Sequence, residues 1–253
     1  MWPYRVYPES SGHHIDPRDT KRRSEAEQRL REHSLQIDCD AGNAKLRLER
    51  SQIFQSLQMY DRAIEDLSVA MQLDPERRYF YLFLRHRLHI YSGNLAAALT
   101  DILEAFKLET GGHDYARAAA YVYQLLGRTE MAVDVLRQGV EKCPDSPRPH
   151  ESRAAFYEDI GRFSEAIDDL SKALELSPPG RRLLVLHYRA GIYARAGKFT
   201  EALADCNTCI SAERREWTHY RLRSEVYEAM GEFAAAKVDY DRSMDLHPMF
   251  GGK

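Results

Sequence analysis

RPHESRAAFYEDIGRFSEAIDDLSKALELSP, residues 148–178, decides the fold of this chain. Its apolar residues recur at helical spacing on both sides of Gly161, which predicts a helix, a turn and a second helix. Glycine suits the exit from the first helix, because it adopts positive φ without the penalty a β-carbon brings. Ala154 and Ala166 are small enough to let the two helices approach closely, and Tyr157 fills the wedge beside them. Pro178 stops the second helix, since proline cannot continue the hydrogen-bond ladder. One such pair cannot bury its own apolar faces and has to stack on another.

The unit recurs. Alanines five residues after a glycine stand at Ala98, Ala132, Ala166, Ala202 and Ala236, with separations of 34, 34, 36 and 34 residues. Ala63 extends the series one step earlier, with Gln58 in the place of the glycine. Twelve residues before each alanine come Ser51, His86, Ala120, Ala154, Ala190 and Ser224, and nine before come Phe54, His89, Tyr123, Tyr157, Tyr193 and Tyr227. Seven after stand Ala70, Ala105, Gly139, Ala173, Cys209 and Ser243; twelve after stand Pro75, Thr110, Pro144, Pro178, Arg214 and Pro248. Small, aromatic, small and proline columns in six copies define a repeat array.

Phe163 to Ile167 and Leu176 to Pro178 resemble the second helix of the tetratricopeptide repeat family, whose period is 34 residues. The resemblance spans residues 44–250 in six registers: 44–77, 79–112, 113–146, 147–180, 183–216 and 217–250. It implies an all-α fold, a right-handed superhelical solenoid of antiparallel helix pairs. The family's tryptophan column is poorly kept, reading Arg47, Leu82, Ala116, His150, Leu186 and Tyr220. His86 stands where a small residue belongs, which predicts a splayed or bent pair in the second repeat.

Outside the array, residues 19–43 read as an N-terminal capping helix, charged, with Ala26, Leu30 and Ile37 on one stripe. Residues 1–18 hold three prolines and alternating Trp2, Tyr4 and Tyr7, and read as an extended or disordered arm. The residue after each alanine is aliphatic until it becomes Lys237, which predicts a polar outer face on the sixth repeat.

Composition narrows the function. With 36 basic and 39 acidic residues the formal charge is −3, so no global positive field draws nucleic acid. The longest apolar run, Tyr79 to Leu84, is far short of a membrane span. Residues 1–14 lack the apolar core of a secretory signal, and four cysteines make no disulfide framework, so the expected compartment is the cytoplasm. Cys206-x-x-Cys209 falls in the leucine and alanine packing columns, so both thiols are expected in the core rather than on a metal. His86 and His89 occupy the small and aromatic columns and read as core histidines; His13-His14 and Lys21-Arg22-Arg23 carry less signal still. Acidic pairs such as Asp168-Asp169 are expected on exposed helix faces. No phosphate loop or hydrolase motif occurs, and the chain reads as a non-enzyme without cofactor or metal.

By the same resemblance, the first helix of each pair lines an inner groove. Its first half carries Phe80, Phe83, Arg87, Ile90, Tyr91, Arg117, Tyr121, Gln124 and Leu125. Its second half carries Arg148, Glu151, Glu158, Asp159, His187, Arg195, Arg221, Glu225 and Glu228, largely acidic. Aromatics and arginines on a surface the core does not need are typical partner anchors. The expected ligand is therefore a protein segment, an extended or helical peptide whose apolar side chains and carboxylate face Phe83, Arg87, Arg117 and Tyr121. The alternative is that Phe83, Ile90 and Tyr121 pack against neighbouring repeats. The lysine–asparagine clamp that some family members use for chaperone tails is absent: its positions read Leu48, Gln52, Phe83, Arg87, Glu151 and Ala155. Two competing classes are an RNA-binding helical repeat and a self-associating module paired through its arm or cap. A membrane partner is not expected.

Overall fold

In the computed structural model, the described residues are 15–16, 19–109 and 112–248. The arm aromatics Trp2, Tyr4 and Tyr7, His13-His14 and Thr110 of the proline column lie outside them. The chain divides after Lys142 into two compact units. In the first, α1 (Thr20–Cys39) packs on α2 (Ala44–Ser56), which pairs with α3 (Tyr60–Leu73). A 3-10 turn, Pro75–Arg77, leads to the pairs α4 (Arg78–Tyr91) with α5 (Leu95–Leu108) and α6 (His113–Leu125) with α7 (Thr129–Lys142). The second unit holds α8 (Pro147–Asp159) with α9 (Phe163–Leu176), α10 (Pro179–Arg195) with α11 (Phe199–Ala212), and α12 (Trp217–Met230) with α13 (Phe233–Leu246). The fold is all-α, antiparallel helix pairs of the solenoid class, with no strand among the described residues.

Local chemistry accounts for the ends. Asn43 caps α2 by accepting from the amides of Lys45 and Leu46, and Asn94 caps α5 by accepting from Ala97. At Gly161 the chain turns with φ 75°, and the Arg162 amide closes back on the Tyr157 carbonyl at 2.8 Å. Gln58 makes the same turn with φ 61°, and the Met59 amide meets the Phe54 carbonyl at 2.8 Å. A side chain there costs roughly 1–2 kcal/mol, offset in part by the greater freedom glycine has when unfolded. Gln58→Gly is therefore expected to stabilise the protein by about 0.5–1 kcal/mol, read as a higher urea midpoint at unchanged slope.

The alanine column is the centre of every pair: Ala63, Ala98, Ala132, Ala166, Ala202 and Ala236 are all buried. Gly139 has its own reason to be small, since a β-carbon there would stand 2.8 Å from that of Ala116.

A second column runs through the pairs, and it is ionic. Arg50 meets Asp66, Arg85 meets Asp101, Arg153 meets Asp169, Arg189 meets Asp205 and Arg223 meets Asp239, always sixteen residues apart. Each guanidinium grips both carboxylate oxygens at 2.7–2.9 Å, and all five aspartates are buried. Four of the arginines also reach the preceding helix, donating to Ser34, Ser68, Ser171 or Asn207. The third repeat has Ala119 and Val135 at these two positions, both buried. Asp169 thus departs from the expectation of an exposed acidic pair: Asp168 faces outward, but Asp169 takes bonds from Arg153 and His150. Burial by itself raises the pKa of Asp169; the hydrogen bonds from Arg153 and His150 outweigh it and hold the carboxyl below its ordinary value.

Two further expectations meet differences. The His86 imidazole is fully buried with its centre 4.9 Å from that of Phe83, yet its helix pair does not splay. The Arg85–Asp101 bridge spans that pair at 2.7 Å, as corresponding bridges span four of the other five pairs. The 36-residue step is absorbed by α10, which starts at Pro179, before the register begins, and carries Arg181 on its extra turn.

Candidate functional site

The face of α4 that carries Phe83, Arg87, Ile90 and Tyr91 follows the i, i+4, i+7, i+8 spacing of one helical stripe. All four side chains are half-buried. Phe83 meets the ring of Tyr115 on α6 edge-on at 5.1 Å, and Tyr79 meets it at 6.3 Å. At the other end of α4, Tyr91 stacks on Tyr60 of α3 at 5.8 Å. These aromatic contacts join helices of different repeats, so Phe83 and Tyr91 serve packing as well as surface. Burial, followed by the charge of Glu109, pushes the Tyr115 hydroxyl up to about 12.

A cleft of about 410 Å³ is lined by Ser51, Gln52 and Gln55 of α2, Leu67 of α3, and Leu84, Arg87 and Leu88 of α4. The Nε of Arg87 is buried and has no hydrogen-bond partner, and no carboxylate among the described residues pairs with this side chain. Arg85, two residues earlier, is held by Asp101 and Ser68. On α6, Arg117 bonds to Asp114 at 2.9 Å, Tyr121 is half-buried and Gln124 is exposed.

In the second unit the acidic side chains are largely spoken for. Glu151 is buried and gripped at both oxygens by Arg181, at 2.9 and 2.5 Å. Glu158 is held by the Tyr188 hydroxyl and by Arg195. Two acidic residues expected along the inner groove are therefore neutralised, Glu151 by Arg181 on the extra turn of α10 and Glu158 by Arg195 at the end of that helix. Sequence reasoning missed this; the one signal was the 36-residue step, which places Arg181 outside the repeat register.

Cys206 and Cys209 are buried in the core of the second unit, and desolvation pushes both thiols up to about 12. Neither is a nucleophile at neutral pH. Among the described residues, no group of three or more His, Cys, Asp or Glu side chains is placed to hold a metal ion, and no helix is long and apolar enough to cross a membrane.

Comparison with known proteins adds a context. Residues 150–179, the α8–α9 pair, match the tetratricopeptide repeat family. The chain is 21% identical over 227 residues to human tetratricopeptide repeat protein 16, covering 86% of this chain and 24% of that protein. It is 33% identical over 88 residues to human RNA polymerase II-associated protein 3, covering 35% of this chain and 13% of that one. The chain thus spans a quarter or less of the length of these two relatives. Among solved structures, a tetratricopeptide repeat protein from Parabacteroides merdae superimposes with a TM-score of 0.58 at 25% identity, covering 79% of this chain and 78% of that one.

Proposed function

We propose that this chain, an array of tetratricopeptide repeats, is a non-catalytic interaction scaffold that holds an extended acidic peptide of a partner protein along α4 in the first unit. The observation that carries the reading is Arg87. Five arginines of the first helices are matched to buried aspartates, whereas Arg87 lines an open cleft with a buried Nε, and no carboxylate among the described residues pairs with it. A guanidinium so placed favours a planar, bidentate anion, and a peptide carboxylate is the commonest. Gln52 and Gln55 across the cleft offer amides to the peptide backbone. Phe83 and Tyr91, at either end of the stripe, offer apolar contact on both sides of the acid. Eight residues of helix separate them, about 12 Å, which is the reach of three or four extended residues. Arg117, Tyr121 and Gln124 extend the surface on α6. We assign the cytoplasm as its compartment on the cysteine usage alone.

A displayed peptide library panned against the full chain tests this. Recovered peptides are expected to centre on Asp or Glu flanked by apolar residues. Arg87→Ala is expected to weaken a recovered peptide at least about tenfold, with an unchanged melting temperature. Peptides without an acid, or equal affinity for Arg87→Ala, overturn the reading.

A further inference from the structure

In the second unit, α10 and α12 bring two imidazoles together. The Nδ1 atoms of His187 and His219 lie 3.0 Å apart, with ring centres at 5.2 Å. On the far side of the His219 ring, Nε2 stands 3.3 Å from a carboxylate oxygen of Glu213. A carboxylate only accepts, so a neutral His219 keeps its hydrogen on Nε2 and turns an unshared pair on Nδ1 toward His187. His219 is buried and His187 half-buried.

We propose that His187 and His219 form a two-nitrogen site for a divalent transition-metal ion of the zinc, nickel or copper type, with water in its remaining positions. Metal–imidazole bonds of about 2.0–2.1 Å at a tetrahedral angle set two nitrogens roughly 3.3 Å apart. The 3.0 Å between the two Nδ1 atoms is thus already close to the required span. In the metal-free protein His187 donates its Nδ1 hydrogen to His219. When the ion enters, that hydrogen moves to Nε2 of His187 and no proton is lost. Glu213 then serves as the carboxylate behind a metal-bound histidine, fixing ring orientation and raising basicity. Glu216, which caps α12 through Thr218, adds negative charge facing His187. Imidazole ligands select these ions over magnesium and calcium, which prefer oxygen. With two protein ligands, affinity is below that of closed three- or four-ligand sites.

Thermal melts of the full chain with Zn²⁺, Ni²⁺ or Mg²⁺ test the assignment. Zn²⁺ or Ni²⁺ at ten times its dissociation constant is expected to raise the melting temperature by about 3–5 °C, and Mg²⁺ to leave it unchanged. His187→Gln and His219→Gln are each expected to abolish the rise. Cu²⁺ should show paramagnetic resonance of a nitrogen-ligated ion in the parent protein and lose it in His187→Gln, a readout that holds even where His219→Gln folds poorly. No rise in the parent protein, or an equal rise in His187→Gln, places the ion elsewhere and overturns the proposal.

Discussion

Arg189→Ala is expected to destabilise the protein by about 3–5 kcal/mol, the cost of stranding a buried charge. Arg189 grips both oxygens of Asp205 at 2.8 and 2.9 Å, donates to Ser171 on the preceding helix, and lies over the Tyr193 ring at 5.4 Å. Without it, the buried Asp205 carboxylate has neither water nor a countercharge. The third repeat supplies the control, because it folds with Ala119 and Val135 at these same two positions. Arg189→Ala/Asp205→Val is therefore expected to recover most of the loss, since replacing both partners of a buried pair by apolar residues is often neutral. Urea denaturation of the two variants decides it. A double variant no better than the single one would mean that the guanidinium stabilises through its stem and its ring contact, and not through the bridge.

Acidification is expected to act through His86. Its imidazole is fully buried, and desolvation outweighs the backbone hydrogen bond to Phe83 and holds its pKa at about 3. Unfolded, it titrates near its ordinary value of about 6.5. Below that value the unfolded state takes a proton that the folded state refuses, so stability is full above about pH 6.5 and falls as the pH drops toward the folded pKa. Between pH 7 and pH 4 the expected loss is about 3 kcal/mol. His187, lowered for the same reason, contributes with the same sign. His86→Ala installs the residue that Ala120, Ala154 and Ala190 provide in other repeats. It is expected to be less stable at pH 7, because it leaves a cavity beside Phe83, but its stability should depend on pH by one proton less between pH 4 and pH 6. Parallel slopes for parent and variant would show that His86 is protonated in the fold.

Much of the architecture was legible before any coordinate. Glycine and alanine at a fixed offset, followed by proline, mark where each pair turns and stops, and these are local steric properties of single residues. Even the exception held: Gln58, lacking the glycine, still turns through positive φ because the surrounding repeat demands it. The candidate surface on α4 was named from its stripe, yet the feature that singles out Arg87 could not be. Arg85 and Arg87 look alike in the sequence, and only one of them meets an aspartate.

The sequence by itself determined the number and order of the helix pairs and the small residues at their centres, since period and turn chemistry are written within some thirty neighbouring residues. The tertiary structure alone decided which charges are buried and matched. Arg189 and Asp205 sit on different helices, and Arg181 reaches Glu151 from thirty residues away. A charged residue enters the interior only where its partner is already waiting, and that meeting is a fact of packing, invisible to any pattern along the chain.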